Sequence, residues 1–263
     1  PHSTQRNISM QYMQAVYEAL LTETADGTIV PQLATSWEYN DDRTTLTFIL
    51  RENVVFHDGT PITPEDIAFT FNILKEQGHP RYKQLYKDIL PPIIASPTSI
   101  RFKFKDGVLT RGLALEVAKM PILSKSHFSD RSFNETSFQP ILGSGPYKIK
   151  EVQPGRTVVY ERINNHWADK LPVHIGRYNF DEIQVDYYRD RTIALEAFFA
   201  GEYDFREEFT SRSWATQYED KPAFQNGYIV KETLKDESLT GFQAFFFNTR
   251  LEKFSDIRVR RAI

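Results

Sequence analysis

Between residues 44 and 50 apolar and polar side chains alternate. Leu46, Phe48 and Leu50 fall on one face and Thr45 and Thr47 on the other, the period-2 pattern of a half-buried strand. The turn formers Asn40-Asp41-Asp42-Arg43 separate it from an earlier strand, Ser36 to Tyr39. After a second turn at Asp58-Gly59 the period changes. Ile67, Phe71 and Leu74 stand at i, i+4, i+7 and share one face of a helix. Thr63 suits its N-cap, Pro64 its first helical position, and Glu65 and Asp66 its acidic first turn. The pattern predicts strand, turn, strand and helix in a mixed α/β domain.

The same reading extends outward from this stretch. Met13, Val16, Tyr17 and Leu20 predict a helix over 8–21, and Thr28-Ile29-Val30 a short strand. Tyr82, Leu85, Tyr86 and Ile89 predict a second helix over 81–90, stopped by Pro91-Pro92. Residues 93–95 and 99–104 read as paired strands, 113–118 as a helix and 125–139 as a polar loop. Gly143-Ser144-Gly145 is a glycine turn feeding a strand from Tyr147, with Pro154-Gly155 as a hairpin turn before the return strand 157–163. A loop over 164–180 leads to a strand over 180–187. Thr192 suits the N-cap of a helix that ends at Gly201. Further strands are predicted over 203–205 and over the aromatic run 242–247. Asp256 suits the N-cap of a last helix whose C-terminal signals are missing, so a truncated chain is expected.

Composition narrows the function classes. At 40% hydrophobic and 25% charged, the 263 residues belong to a folded chain rather than a disordered one. The net charge of −3 leaves no electrostatic footprint for nucleic acid. No apolar run reaches the length of a transmembrane helix. The absence of Cys removes disulfides, thiolate metal sites and a Cys nucleophile. With 20 Phe and 13 Tyr, aromatic side chains are available for a concave ligand site as well as a core.

Candidate chemistry is sparse. The six His residues show neither i, i+4 pairs nor His-Glu-x-x-His, so local spacing predicts no metal site. No Gly-x-Ser-x-Gly is present, and the glycine pair lacks the phosphate-loop pattern. Glu207 and Glu208 suit a glycosidase-type pair or simply solvated charge. Arg206 and Glu207 follow Phe205 at an expected strand end, where α/β folds place ligands. There Arg can hold a carboxylate or phosphate bidentately and Glu an amine; the other reading is a surface ion pair of little energy. Trp214 fits either a core plug or a ligand-facing wall.

Several motifs resemble one family. Ala34, Trp37-Glu38, the Asp41-Asp42 pair, Thr47-Phe48-Ile49-Leu50-Arg51, the run Phe56-His57-Asp58-Gly59-Thr60-Pro61 with Thr63 and Glu65-Asp66, and Phe69-Thr70-Phe71 are similar to the signature of the family 5 extracellular solute-binding proteins. Gly143-Ser144-Gly145-Pro146-Tyr147 and the module over 183–205 resemble the same family. The runs 176–183 and 203–216 look like its microcin C and oligopeptide subgroup. The resemblance implies a two-lobed clamshell receptor of an ABC importer, periplasmic or extracellular, with this chain forming most of lobe 1. A main domain over 1–30 and 129–263 would carry an inserted satellite domain over 31–128. The implied ligand is a peptide, with an oligosaccharide, opine or nickel complex as alternatives. The implied partner is an inner-membrane permease; the receptor would be a monomer that needs no cofactor and catalyses no reaction. Tyr17-Glu18-Ala19-Leu20-Leu21 resembles a segment beside the family's groove, placing Glu18, Ala19 and Leu20 near ligand, although Glu18 also reads as a solvated helix-end carboxylate. Phe242, Gln243 and Phe245 would lie in the last strand before the crossing between lobes.

Overall fold

The computed structural model describes residues 15–24, 26–135, 138–234 and 244–263. The chain divides into two compact units, Pro1–Lys221 and Pro222–Ile263.

The first unit holds three antiparallel sheets. β1 (Leu21–Glu23) pairs with β2 (Ile29–Pro31). β3 (Ala34–Tyr39), β4 (Thr45–Leu50), β5 (Ile93–Ser96) and β6 (Ser99–Lys103) form a four-stranded sheet in the order β3-β4-β6-β5. β7 (Tyr147–Gln153), β8 (Thr157–Arg162) and β9 (Glu182–Asp186) form a third. α1 (Pro64–Gln77) packs against the four-stranded sheet, with α2 (Pro80–Leu85) following it. α3 (Thr110–Ala118), α4 (Arg191–Phe199) and α5 (Ser211–Thr216) follow in this unit, with a 3-10 turn at Ser126–Phe128.

The alternation in β4 does what its period dictates. Leu46, Phe48 and Leu50 are buried, whereas Ile49 on the other face is partly exposed. Ile67, Phe71 and Leu74 of α1 close over them, all fully buried. Phe102 of β6 meets Phe48 edge-on at 6.0 Å and Phe71 at 5.6 Å, and Phe71 stacks on Tyr86 at 4.8 Å.

The start of α1 is fastened twice. The Asp66 carboxylate accepts from the Thr63 N–H at 2.9 Å and its hydroxyl at 2.8 Å, a reciprocal cap. Its other oxygen accepts the Lys125 N–H at 2.8 Å, tying a distant loop to the helix start. Asp66 is itself buried. Asp66→Ala strands these donors, and a loss of about 2 kcal/mol in urea unfolding is expected; an unchanged midpoint would show that the tie contributes nothing.

Several local expectations differ from the structure. Tyr17 to Leu21 leave the helix and run into β1; the earlier part of the expected 8–21 helix lies outside the described residues. The second helix stops at Leu85 rather than running to 90. Residues 203–205 form no strand. Of the aromatic run, residues 244–247 form no strand and 242–243 lie outside the described residues. By contrast, Gly201 follows α4 with φ +79°, as a C′ glycine does. The cap of α4 is Asp190, accepting from Thr192 and Ile193, rather than Thr192.

The second unit carries α6 (Pro222–Gln225), α7 (Glu252–Ser255) and α8 (Ile257–Ala262). Asp256 caps α8 by accepting the Arg258 N–H at 2.8 Å, as the sequence predicts.

Candidate functional site

The segment from Val16 to Leu21 is a backbone crossroads. The Val16 carbonyl accepts from the Ser144 and Gly145 N–H groups at 2.9 and 2.8 Å. The Glu18 carbonyl accepts from Ile122, that of Ala19 from Leu33, and that of Leu20 from Gln32 and Ala34. The Ser144 hydroxyl accepts the Glu18 N–H at 3.1 Å. Three separate stretches of chain, 32–34, 122 and 144–145, therefore converge on Val16, Glu18, Ala19 and Leu20. These bonds take up the segment's carbonyls, which explains why its helical pattern is overridden.

The glycines at 143 and 145 permit this approach. A Cβ on Gly143 would stand 2.2 Å from the Val16 carbonyl oxygen, and one on Gly145 2.4 Å from that of Ala15. The turn is thus a docking surface for backbone rather than a phosphate cradle.

Side chains gather under this crossroads. Glu18, Gln32, Ser144, His166 and His174 are all buried, none more than 7% exposed. The Gln32 amide donates to the Glu18 carboxylate, and the same nitrogen lies 2.8 Å from His174 Nε2. His166 Nε2 lies 2.8 Å from the Ser144 carbonyl and 4.0 Å from Glu18 Oε1. The imidazole rings of His166 and His174 lie nearly parallel, 6.2 Å apart. Both are delivered by the irregular 164–180 loop, whose successive turns are closed by Asp169→His166, His174→Leu171 and Arg177→His174 backbone bonds. The Tyr147 hydroxyl pins its far end by donating to the Phe180 carbonyl at 2.6 Å.

Burial dominates the electrostatics. It pushes the Glu18 carboxyl up to about 8, against the opposing Gln32 hydrogen bond. It pushes His174 down to about 4, helped by His166 and Arg177. Glu18 Oε1, Gln32 Oε1, His174 Nδ1 and the Tyr17 hydroxyl have no hydrogen-bond partner. Three of these unpartnered atoms, on Glu18, Gln32 and His174, belong to one buried cluster, more than a relaxed core carries.

His57 supports the cluster from outside. Its N–H donates to the Gly143 carbonyl at 2.9 Å, and its Nε2 lies 2.8 Å from the Gly145 carbonyl. Burial holds its pKa below the ordinary imidazole value, opposed by the Gly145 bond. The unfolded chain, at about 6.5, therefore binds a proton before the folded one does. His57 thus leaves stability intact above about pH 6.5 and costs stability as pH falls below it. A urea midpoint that drops between about pH 6.5 and 5, with a smaller drop in His57→Gln, is the expected result; equal slopes would exclude His57 as the source.

The second predicted patch is separate. Arg206 donates to Glu208 at 3.2 Å and to the Tyr203 hydroxyl at 3.0 Å. The Tyr218 hydroxyl and the Thr210 N–H donate to the same Glu208 carboxylate. Burial alone would raise the Glu208 pKa, but Thr210, Arg206 and Tyr218 together hold it below the usual carboxylate range. Arg206 is therefore committed to an internal network. Phe205 is 73% exposed, Glu207 is exposed, and Trp214 is half-buried beside Tyr218 at 6.3 Å.

Of the predicted site residues, Glu18 and Leu20 are buried and Ala19 is half-buried at the crossroads. Phe205, Arg206, Glu207 and Trp214 belong to the second patch. Phe245, in the second unit, is 90% exposed, and Phe242 and Gln243 lie outside the described residues. Gln32, His166 and His174 were not predicted. No local spacing signals them, because they meet Glu18 only through the tertiary fold.

Among the described residues no helix is long and apolar enough to cross a membrane. Residues 28–263 match the model of the bacterial extracellular solute-binding proteins, family 5 Middle. The chain is 36% identical over 253 residues to the uncharacterized protein YejA of Escherichia coli K12, covering 95% of this chain and 41% of that protein. It is 30% identical over 262 residues to the peptidoglycan-binding protein YepA of Agrobacterium fabrum, covering 96% and 42%. It thus spans about two fifths of these relatives' length. The murein tripeptide binding protein MppA of Escherichia coli shares the fold, with a TM-score of 0.67 at 19% identity over 83% of this chain and 45% of that one. The match to the family model over nearly the whole chain, with the mixed α/β fold of the solved binding proteins, shows that this chain belongs to the family 5 bacterial extracellular solute-binding proteins.

Proposed function

We propose that this chain forms part of the receptor of an ABC importer, one that captures peptides, cell-wall-derived peptides among them, outside the cytoplasm and delivers them to a membrane permease. The observation that carries this reading is family membership joined to the similarity with YepA, a peptidoglycan-binding protein. Peptide capture by such a receptor rests on main-chain pairing with loose side-chain selectivity. The 31–128 stretch, with the four-stranded sheet and α1 to α3, is the satellite domain of this reading. The ligand contacts of this reading, outside that stretch, are Ala19 and the exposed Phe205 and Glu207. Glu18 and Arg206 act from behind, holding the segments that carry them. A hydrolase reading of Glu207 and Glu208 is disfavoured, because Glu208 is held ionised and makes a poor general acid.

Native mass spectrometry of the freshly purified full-length protein tests this. A peptide or muropeptide released intact on denaturation is the expected result. Protein that carries no peptide and ignores an added peptide library refutes the reading, and cleaved products would transfer it to the hydrolases.

A further inference from the structure

We propose that Glu18, His166 and His174 form a buried binding site for one divalent transition-metal ion, with zinc the ion whose ligand preferences the donor set meets best. This rests on geometry and is independent of the peptide reading. One ligand atom from each residue lies within 4.8 Å of the other two. Two imidazoles and a carboxylate are the borderline nitrogen and oxygen donors that zinc takes.

The arrangement is built around a position where positive charge belongs. The Gln32 –NH2 lies between the Glu18 carboxylate and His174 Nε2 and donates to the former. It stands where a cation would satisfy both at once. Gln32 Oε1 has no partner, so rotating the amide offers that oxygen as a fourth donor. Glu18 Oε1 is also unpartnered, on a side chain only 5% exposed and 4.0 Å from His166 Nε2. Tetrahedral bonds of about 2.0–2.1 Å set ligand atoms about 3.3 Å apart, so the widest pair closes by about 1.5 Å. On binding, Glu18 coordinates as the carboxylate, any proton it holds passing to solvent, and the neutral His166 ring moves its proton from Nε2, where the Ser144 carbonyl accepts it, to Nδ1, giving up the long Ala168 N–H contact and freeing Nε2 for the ion, because metal ligands must be deprotonated. The ion takes up the unpartnered Glu18 Oε1 and Gln32 Oε1 and pairs the buried carboxylate, which relieves the cost of the metal-free cluster.

The test uses the full-length protein, stripped with a chelator and titrated with zinc chloride. Calorimetry is expected to show one ion per chain, and excess zinc to raise the melting temperature by about 5 °C or more. His174→Asn, which keeps a polar group facing Gln32, is expected to weaken zinc binding by at least about tenfold. His79→Asn, at the cap of α2, leaves binding unchanged. X-ray absorption of the zinc-loaded parent shows two imidazole nitrogens with oxygen donors. Failure of zinc to bind or to raise the melting temperature, a spectrum without imidazole, or His174→Asn binding like the parent overturns the proposal. Should His174→Asn not fold, the spectrum of the parent decides alone.

Discussion

Gly145→Ala is expected to destabilise the first unit by about 3 kcal/mol or more. The added methyl group meets the Ala15 carbonyl oxygen at 2.4 Å and the Val16 carbonyl carbon at 2.8 Å. Neither is the tip of a flexible side chain, so the strand-feeding turn and the crossroads must separate. Overpacking against side chains costs about 1–3 kcal/mol, and here backbone has to move. Separation also lengthens the Ser144 and Gly145 N–H bonds to Val16 that hold the segment. Gly112→Ala is the control. That glycine lies inside α3 with nothing within 4 Å of an added Cβ, so a gain of up to about 1 kcal/mol is expected. Urea unfolding of both variants measures the contrast. A Gly145→Ala protein within about 1 kcal/mol of its parent would mean that the two backbones do not approach as described.

Phe102→Ala is expected to cost about 3–5 kcal/mol, because it removes the ring on which the core between the four-stranded sheet and α1 converges. Phe102 is fully buried and touches Phe48 from β4 and Phe71 from α1, so its loss opens a cavity bordered by both a strand and a helix. The Leu46↔Phe102 pairing of β4 and β6 keeps the surrounding backbone in place and limits collapse into the gap. Phe102→Leu refills most of the volume and is expected to recover more than half of the loss. A Phe102→Leu protein no more stable than Phe102→Ala would point to ring contacts rather than volume as the source.

The regular parts of the fold are legible in the sequence because their signals are local. Thr63, Pro64 and Asp66 mark the start of α1 within four residues, and Leu46, Phe48 and Leu50 mark the buried face of β4 within five. Tyr17 to Leu21 mislead because their helical spacing is real but their backbone partners lie at 32–34, 122 and 144–145. Tertiary hydrogen bonds there outweigh propensity, which is worth only tenths of a kcal/mol per residue. The run over 203–205 misleads in a similar way, since Tyr203 is held by its hydroxyl on Ala194 and Arg206 rather than by a ladder. The buried cluster lies beyond reach of any window on the sequence. Residues 18, 32, 166 and 174 come together only when the whole unit is assembled.

That separation sets a timetable for folding. The Glu18 N–H waits for Ser144, 126 residues later, and His57 for Gly145, 88 residues later. At about 5–20 residues per second of synthesis, the first of these partners arrives on the order of ten seconds after its mate. The β3–β4 hairpin and α1 close over short separations in that interval. Ala19 to Leu21 can pair with 31–34 early, but the Val16 carbonyl and the Glu18 N–H lack their partners until Gly143-Ser144-Gly145 emerges. The start of the crossroads, Val16 to Glu18, thus gains its last partners only when a stretch more than a hundred residues downstream has been made.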